Sequence, residues 1–245
     1  KEALNNYRKE KFILDLGKHK FDLSKRTLIM GIANLTPDSF SGDGLYGLPA
    51  ERIVRVINEK IRAGADIIDL GAESSRPGAK RITPKQELER ILPVLKILHK
   101  AINVPVSIDT YKPEVAKAAL DSGANLINDI TGLRDKRLAK IIARYKAGVV
   151  LMHMQGSPLT MQKNPRYKSL ISEIIAYLDN SIKTALDAGI GKDKIIIDPG
   201  IGFGKTLEHN LEILKNIADF KSLGFPVLVG ASRKSFIGVL TKQLP

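Results

Sequence analysis

The sequence predicts an α/β protein of the TIM (β/α)8 barrel class, with an N-terminal hairpin and with its eighth βα unit missing from this chain. Two observations predict it. Seven short apolar runs alternate with helical patterns, as repeated βα units do. Polar side chains then close those runs: Asn34, Asp109, Asn128 and Asp198, with Lys234 just beyond the seventh. In a barrel the C-terminal strand ends surround one pocket, so polar residues gathered there read as a site rather than as a core. The 245 residues suit one such domain, read as 1–245, and no composition shift divides them.

Taken in order, the segment FILDLGKHKFDL alternates apolar and polar residues around Gly17, as a hairpin does, and would plug the bottom of a barrel. The strands read as 27–33 (TLIMGIA), 66–71 (DIIDLG), 105–109 (PVSID), 126–129 (LIND), 149–152 (VVLM), 195–198 (IIID) and 226–230 (PVLVG). Helical patterns lie near 50–63, 84–100, 113–122, 135–146, 168–188 and 209–222, with Pro84 and Pro113 where first-turn prolines belong. Gly64, Gly123, Gly148, Gly189 and Gly224 punctuate the helix-to-strand turns, where a left-handed residue is wanted. No eighth apolar run follows before Pro245, and Lys1 stands in place of Met, so a trimmed or excised fragment is expected. A seven-strand barrel would have two unpaired edges, a state that invites association.

A doubly wound open sheet shows the same alternation, but it concentrates its site at one switch point, whereas here successive runs end in candidate ligand groups. Nor does G-x-G-x-x-G follow the first strand. The GIGFG at 200–204 follows the sixth strand with glycine spacing that is wrong for a dinucleotide fingerprint.

Composition excludes several classes. No apolar run approaches the roughly 20 residues of a spanning helix, so no membrane role is expected. The first segment lacks the apolar centre of a signal peptide. With no cysteine there is no disulfide or thiolate nucleophile, which fits a reducing compartment and a cytoplasmic location. The formal charge of +13 attracts either polyanions or a phosphorylated small substrate, and the second is preferred. Most Lys and Arg fall in helical stretches, such as Arg52, Arg55, Lys60 and Arg62, as a solvated outer face would have them. With aromatics at 5%, a nucleic-acid surface interleaved with stacking rings is not expected.

The strand-end groups suggest a chemistry. Asp109 and Asp198 close apolar strands, where an ionised carboxylate needs donors. A heterocycle with an amino group beside a ring N–H supplies such a pair. Asn128 can read a third edge and Lys234 can donate to a ring carbonyl or nitrogen. Alternatively, either aspartate caps the helix that follows it. Two long loops, NLTPDSFSGDGLYG and GAESSRPGAKRITP, follow the first two strands. Arg76 in the second is a candidate anion contact, while Asn34 and Asp38 in the first could reach an oxygen-ligated cation such as Mg2+. GASRKS at 230–235 leads into a helix, with Ser232, Arg233 and Ser235 as further anion donors. His153, between Met152 and Met154, reads as a packed wall and not as a base.

Seven blocks, in order, resemble the dihydropteroate synthase family: MGIANLTPDSFSGDG, GADIIDLGAESSRPGA, VPVSIDTYKPEVA, GANLINDI, VVLMHMQGSPLTMQ, IIIDPGIGFGK and GASRKSFIG. The resemblance runs from about residue 12 to the end. It implies a transferase of folate synthesis, of the class that sulfonamides target. That enzyme condenses 6-hydroxymethyl-7,8-dihydropterin pyrophosphate with p-aminobenzoate, giving 7,8-dihydropteroate and pyrophosphate. By motif position it assigns the pterin edge to Asp109, Asn128, Asp198 and Lys234, and pyrophosphate and Mg2+ to Asn34 with help from Arg76. Ser75, Pro77, Phe203, Lys234 and Ser235 would border the p-aminobenzoate site. Asp38 would arrive with the first loop to order the closed site, and the assembly expected is a homodimer. In the family's mechanism pyrophosphate leaves first and the arylamine attacks a pterin-stabilised cation, so no enzyme nucleophile is needed. The family's Arg-x-His pair of an eighth strand has no counterpart after Gly238. A pterin-binding corrinoid methyltransferase shares the barrel, but lacks the SSRPGA and SRKS loops in this form.

Overall fold

A computed structural model describes residues 1–36, 44–74 and 79–242. The chain opens with a short helix, α1 (Glu2–Tyr7), and the hairpin strands β1 (Ile13–Leu16) and β2 (His19–Asp22). Then strands and helices alternate: β3 (Met30–Asn34), α2 (Ala50–Arg62), β4 (Ile67–Gly71), α3 (Pro84–Ala101), β5 (Val106–Asp109), α4 (Pro113–Asp121), β6 (Leu126–Asp129), α5 (Lys136–Tyr145), β7 (Gly148–Met152), α6 (Leu170–Asp187), β8 (Ile195–Asp198), α7 (Leu207–Lys215) and α8 (Ser235–Thr241). Strands β3 to β8 form one parallel sheet in chain order, the arrangement that successive right-handed βα crossovers produce.

Helices α3 and α4 start where the sequence says they should. Thr83 accepts from the Gln86 N–H while the Gln86 side chain bonds back, a capping box, and Pro84 fills the first turn of α3. Pro113 does the same for α4. Ile91, Leu95 and Leu98 of α3, with Ile53 and Ile57 of α2, are buried against the outer face of the sheet. Each such side chain contributes roughly 1.5–3 kcal/mol of burial.

The hairpin plugs the N-terminal end of the sheet, as the alternation of FILDLGKHKFDL predicts. Leu14 and Leu16 pack with Ile67, Leu126, Val150 and Ile196. Gly148 makes room, since a β-carbon there would lie 2.4 Å from Leu16. It is thus a close-approach glycine and not the left-handed turn residue expected from the sequence; Lys146 takes the left-handed conformation instead. The other four turn glycines have positive φ as expected.

The seventh expected strand, 226–230, is not a strand. It makes one bridge, Val227 to Ile197, with Ile197 N–H donating to Pro226 and Leu228 N–H to Ile197. Pairing comes from one side only, Pro226 brings no N–H, and Val229 is 45% exposed. On the other edge β3 begins at Met30 and not at Thr27, and Ile32 is 52% exposed. The helix expected over 209–222 breaks at Asn216 into α7 and a 3-10 turn, Ile217–Leu223, against which α1 docks through Asn6 Nδ2 and the Ser222 carbonyl, 3.0 Å.

Candidate functional site

Strand register assembles the site. Asn34 pairs with Gly71, Gly71 with Asp109, and Asp109 with Asn128, so these four lie in one row across β3 to β6 at the C-terminal ends. Asp198 ends β8 and pairs with Met152. Lys234, the N-cap of α8, reaches this rim from the segment after 226–230, its Nζ 4.2 Å from the centre of the Phe203 ring. The sequence-expected residues Asn34, Asp109, Asn128, Asp198, Phe203 and Lys234 therefore converge on one end of the sheet. Asp38, Ser75, Arg76 and Pro77 lie outside the described residues, as does the side chain of Ser235. Ser232 and Arg233 are exposed, Arg233 with a positive φ of 54°.

The electrostatics are those of carboxylates held without enough donors. Asp198 is buried, and burial pushes its pKa up to about 6. The Gly200 N–H, 2.7 Å from Oδ1, and the positive charges of Lys234 and Lys205 oppose that rise. Asp109 accepts no hydrogen bond from another described residue, and burial with the nearby charges of Asp69 and Glu87 raises it well above the usual carboxylate range. Lys234 is lowered by burial, partly offset by Asp198 and Asp109. A ligand offering N–H donors to both aspartates would relieve these strains together.

Several buried groups were not singled out from the sequence. Asp69, inside the run DIIDLG, accepts from Asn128 Nδ2 at 3.1 Å and fixes that amide, leaving Asn128 Oδ1 and one N–H for a ligand. Burial raises the Asp69 pKa; Ser107, its register partner, opposes the rise, although Asp69 Oδ1 and Ser107 Oγ make no well-formed hydrogen bond. Lys205 is buried with its Nζ 3.0 Å from His153 Nδ1. His153 is a wall, as expected: it packs edge-on to Tyr177, and burial with Lys205 and Arg134 nearby lowers its pKa to about 3. Arg134 in turn pins the loop after β7, donating to the Met154 and Gly156 carbonyls at 2.6 and 2.5 Å.

Behind the rim, Lys112 joins the second loop to α3. Its Nζ lies 2.6 Å from both Glu73 and Glu87 and 2.8 Å from the Ile82 carbonyl. Burial works to raise Glu73, but Lys112, the Tyr111 hydroxyl and the Ile82 N–H outweigh it and hold the pKa low. Glu87 stays raised because burial dominates there.

For a hard cation the donor set is sparse. Among the described residues no three His, Cys, Asp or Glu gather as a metal cage. Asn34, whose side chain bonds to no other described residue, can offer one oxygen, which suits Mg2+ that keeps its water and binds substrate phosphate.

Comparison with known proteins places the chain. The family model described as pterin binding enzyme matches residues 30–244. The dihydropteroate synthase of Clostridium beijerinckii is 46% identical over 233 residues, 95% of this chain and 83% of its own. The Yersinia pestis dihydropteroate synthase, solved as a sulfonamide drug complex, superposes with a TM-score of 0.91 at 39% identity, covering 96% of this chain and 84% of that one. The dihydropteroate synthase of Thermus thermophilus, solved in complex with 6HMPPP, gives a TM-score of 0.79 at 41% identity, covering 94% and 81%.

Proposed function

The chain belongs to the dihydropteroate synthase family of pterin-binding enzymes, and from this we propose how its rim joins the two substrates. The reaction class is transfer of a 6-hydroxymethyl-7,8-dihydropterin from its pyrophosphate to p-aminobenzoate, giving 7,8-dihydropteroate and pyrophosphate. The observation that carries the site assignment is the under-supplied pair Asp109 and Asp198 beside Asn128, an edge matched to a pterin's amino and ring N–H groups.

Asp198 and Asp109 accept ring donors, Asn128, braced by Asp69, reads the remaining edge, and Lys234 donates to the ring carbonyl or nitrogen. Asn34 and Arg76 hold the diphosphate. Asn34 would hold Mg2+, which would supply positive charge to offset that of the leaving diphosphate. Phe203 and Lys234, with Ser75, Pro77 and Ser235, border the arylamine, and Asp38 closes the first loop. The C–O bond to pyrophosphate breaks first, and the arylamine nitrogen then attacks the pterin-stabilised carbon and loses its proton. Positioning and charge stabilisation supply the rate, so no protein nucleophile is required.

We place the protein in the cytoplasm, supported by the lack of cysteine, and among the described residues no helix is long and apolar enough to cross a membrane. A homodimer is the assembly that the family resemblance implies, and it is proposed on that ground. The test of function is mass-spectrometric detection of 7,8-dihydropteroate from both substrates with Mg2+. Absence of product from protein that binds both substrates would overturn the reading.

A further inference from the structure

Lys205 is a lysine where the fold has little use for one. It is 3% exposed, yet a neutral residue could make its hydrogen bonds. Its Nζ donates to the Phe203 carbonyl at 2.9 Å and to His153 Nδ1 at 3.0 Å. Burial keeps the His153 ring neutral, and with Lys205 as the donor its Nδ1 is the acceptor and its proton lies on Nε2. The ammonium also lies against Gly200, where an added β-carbon would come within 3.2 Å of it and within 1.8 Å of the His153 carbonyl. So the turn 200–204 is pressed onto the end of β7 with one buried cation at the join.

That turn serves both halves of the pocket. Gly200 N–H bonds Asp198, on the pterin side. Phe203, whose N–H closes the turn onto the Gly200 carbonyl at 3.0 Å, carries the ring that Lys234 covers, on the arylamine side. Lys234, in the segment entering α8, and Lys205, held beneath the turn against neutral His153, both oppose the rise that burial gives Asp198. Burial pushes the Lys205 pKa down to about 7, with Asp198 opposing the fall and Lys234 adding to it. Isolated buried charges are costly, so their retention calls for a partner.

We propose that Lys205 is a positioning residue for the pterin site: its buried Nζ clasps the 200–204 turn to His153 and so holds the Gly200 N–H on Asp198. This rests on the pterin reading of the pocket. Binding of 6-hydroxymethyl-7,8-dihydropterin to the full chain, titrated from pH 5 to 8, tests it in the parent and in Lys205→Met. In the parent, affinity falls as pH drops and Asp198 takes up a proton. In Lys205→Met the turn loosens and the Gly200 N–H is lost to Asp198, so the midpoint of that fall moves up by roughly half to one pH unit, and affinity at neutral pH drops about tenfold. A purely structural lysine would change melting temperature and leave the midpoint where it was, and that result would overturn the inference. Should Lys205→Met fail to fold, the parent answers alone. Its Lys205 ammonium resonance should be visible, slow to exchange and shifted by pterin, and a resonance that pterin leaves unmoved would refute the clasp. If the parent binds no pterin at any pH, the functional reading itself fails, and this inference with it.

Discussion

Asn34 and Asp109 face each other across Gly71: a β-carbon added there would lie 3.4 Å from Asn34 Oδ1 and 3.5 Å from Asp109 Oδ2. Glycine at the end of β4 keeps a gap between the Asn34 amide, proposed to hold diphosphate, and the Asp109 carboxylate, proposed to bind the pterin. Gly71→Ala meets only van der Waals contacts, and Gly71 has no positive φ, so stability should change by less than about 1 kcal/mol. The methyl nevertheless occupies the gap, and affinity for the pterin pyrophosphate should fall about tenfold or more, for a loss of roughly 1.4 kcal/mol. Unchanged affinity by calorimetry would show that no ligand passes between these two side chains.

Asp198 works against stability. Its folded pKa, about 6, is above the 3.8 of an ordinary aspartate, so its contribution is fully present below pH 3.8 and is lost as pH rises through about 6. Two pKa units correspond to about 3 kcal/mol, an upper bound on the gain from removing the charge. Asp198→Asn, which still accepts from Gly200, should therefore melt higher than the parent at pH 7.5 and with a smaller difference at pH 4. A lower melting temperature at pH 7.5 would mean that its carboxylate is well solvated or paired in the folded protein.

Lys112 neutralises two carboxylates at once, and Lys112→Met should cost about 3–5 kcal/mol, because Glu73 and Glu87 are left buried without a cation. The loss should be greater at pH 8 than at pH 5, where the carboxylates can protonate. Adding Glu87→Gln should recover part of it. Denaturant unfolding of the three variants measures this; equal losses at both pH values would contradict the charge argument.

The βα rhythm and the rim were legible in the sequence because both are local: an apolar run ends and a polar residue follows. What was missed depends on neighbours distant in the chain. Asp69 sits in an apolar run, and only its register opposite Ser107, two residues below the rim, shows that it faces inward to brace Asn128. Period-two counting back from Gly71 was the available signal. Lys205 follows the glycine turn at once and carries no periodic signal of its own, so only the fold sets it against His153. The run at 226–230 has the composition of a strand, but a parallel strand is made by its partners, and among the described residues only β8 pairs with it.

Substrate order follows from where the arylamine site is built. Ser75, Pro77 and Asp38 belong to the two loops that the diphosphate is proposed to organise. Calorimetry should find p-aminobenzoate binding weak without pyrophosphate and Mg2+ and at least about tenfold tighter with them, a coupling of about 1.4 kcal/mol. Sulfonamides, which imitate the arylamine, should obey the same rule. Equal affinity for the apo protein would remove the loops from the site.

The most direct test of the pterin assignment is the affinity of 6-hydroxymethyl-7,8-dihydropterin for the parent, Asp198→Asn and Asp38→Asn at pH 7.5. Asp198 is assigned to the ring itself and Asp38 to a loop. Asp198→Asn should lose about 1.5–3 kcal/mol of binding, the usual value of a hydrogen bond to a charged group, and Asp38→Asn much less. Equal affinities for the parent and Asp198→Asn would contradict the assignment.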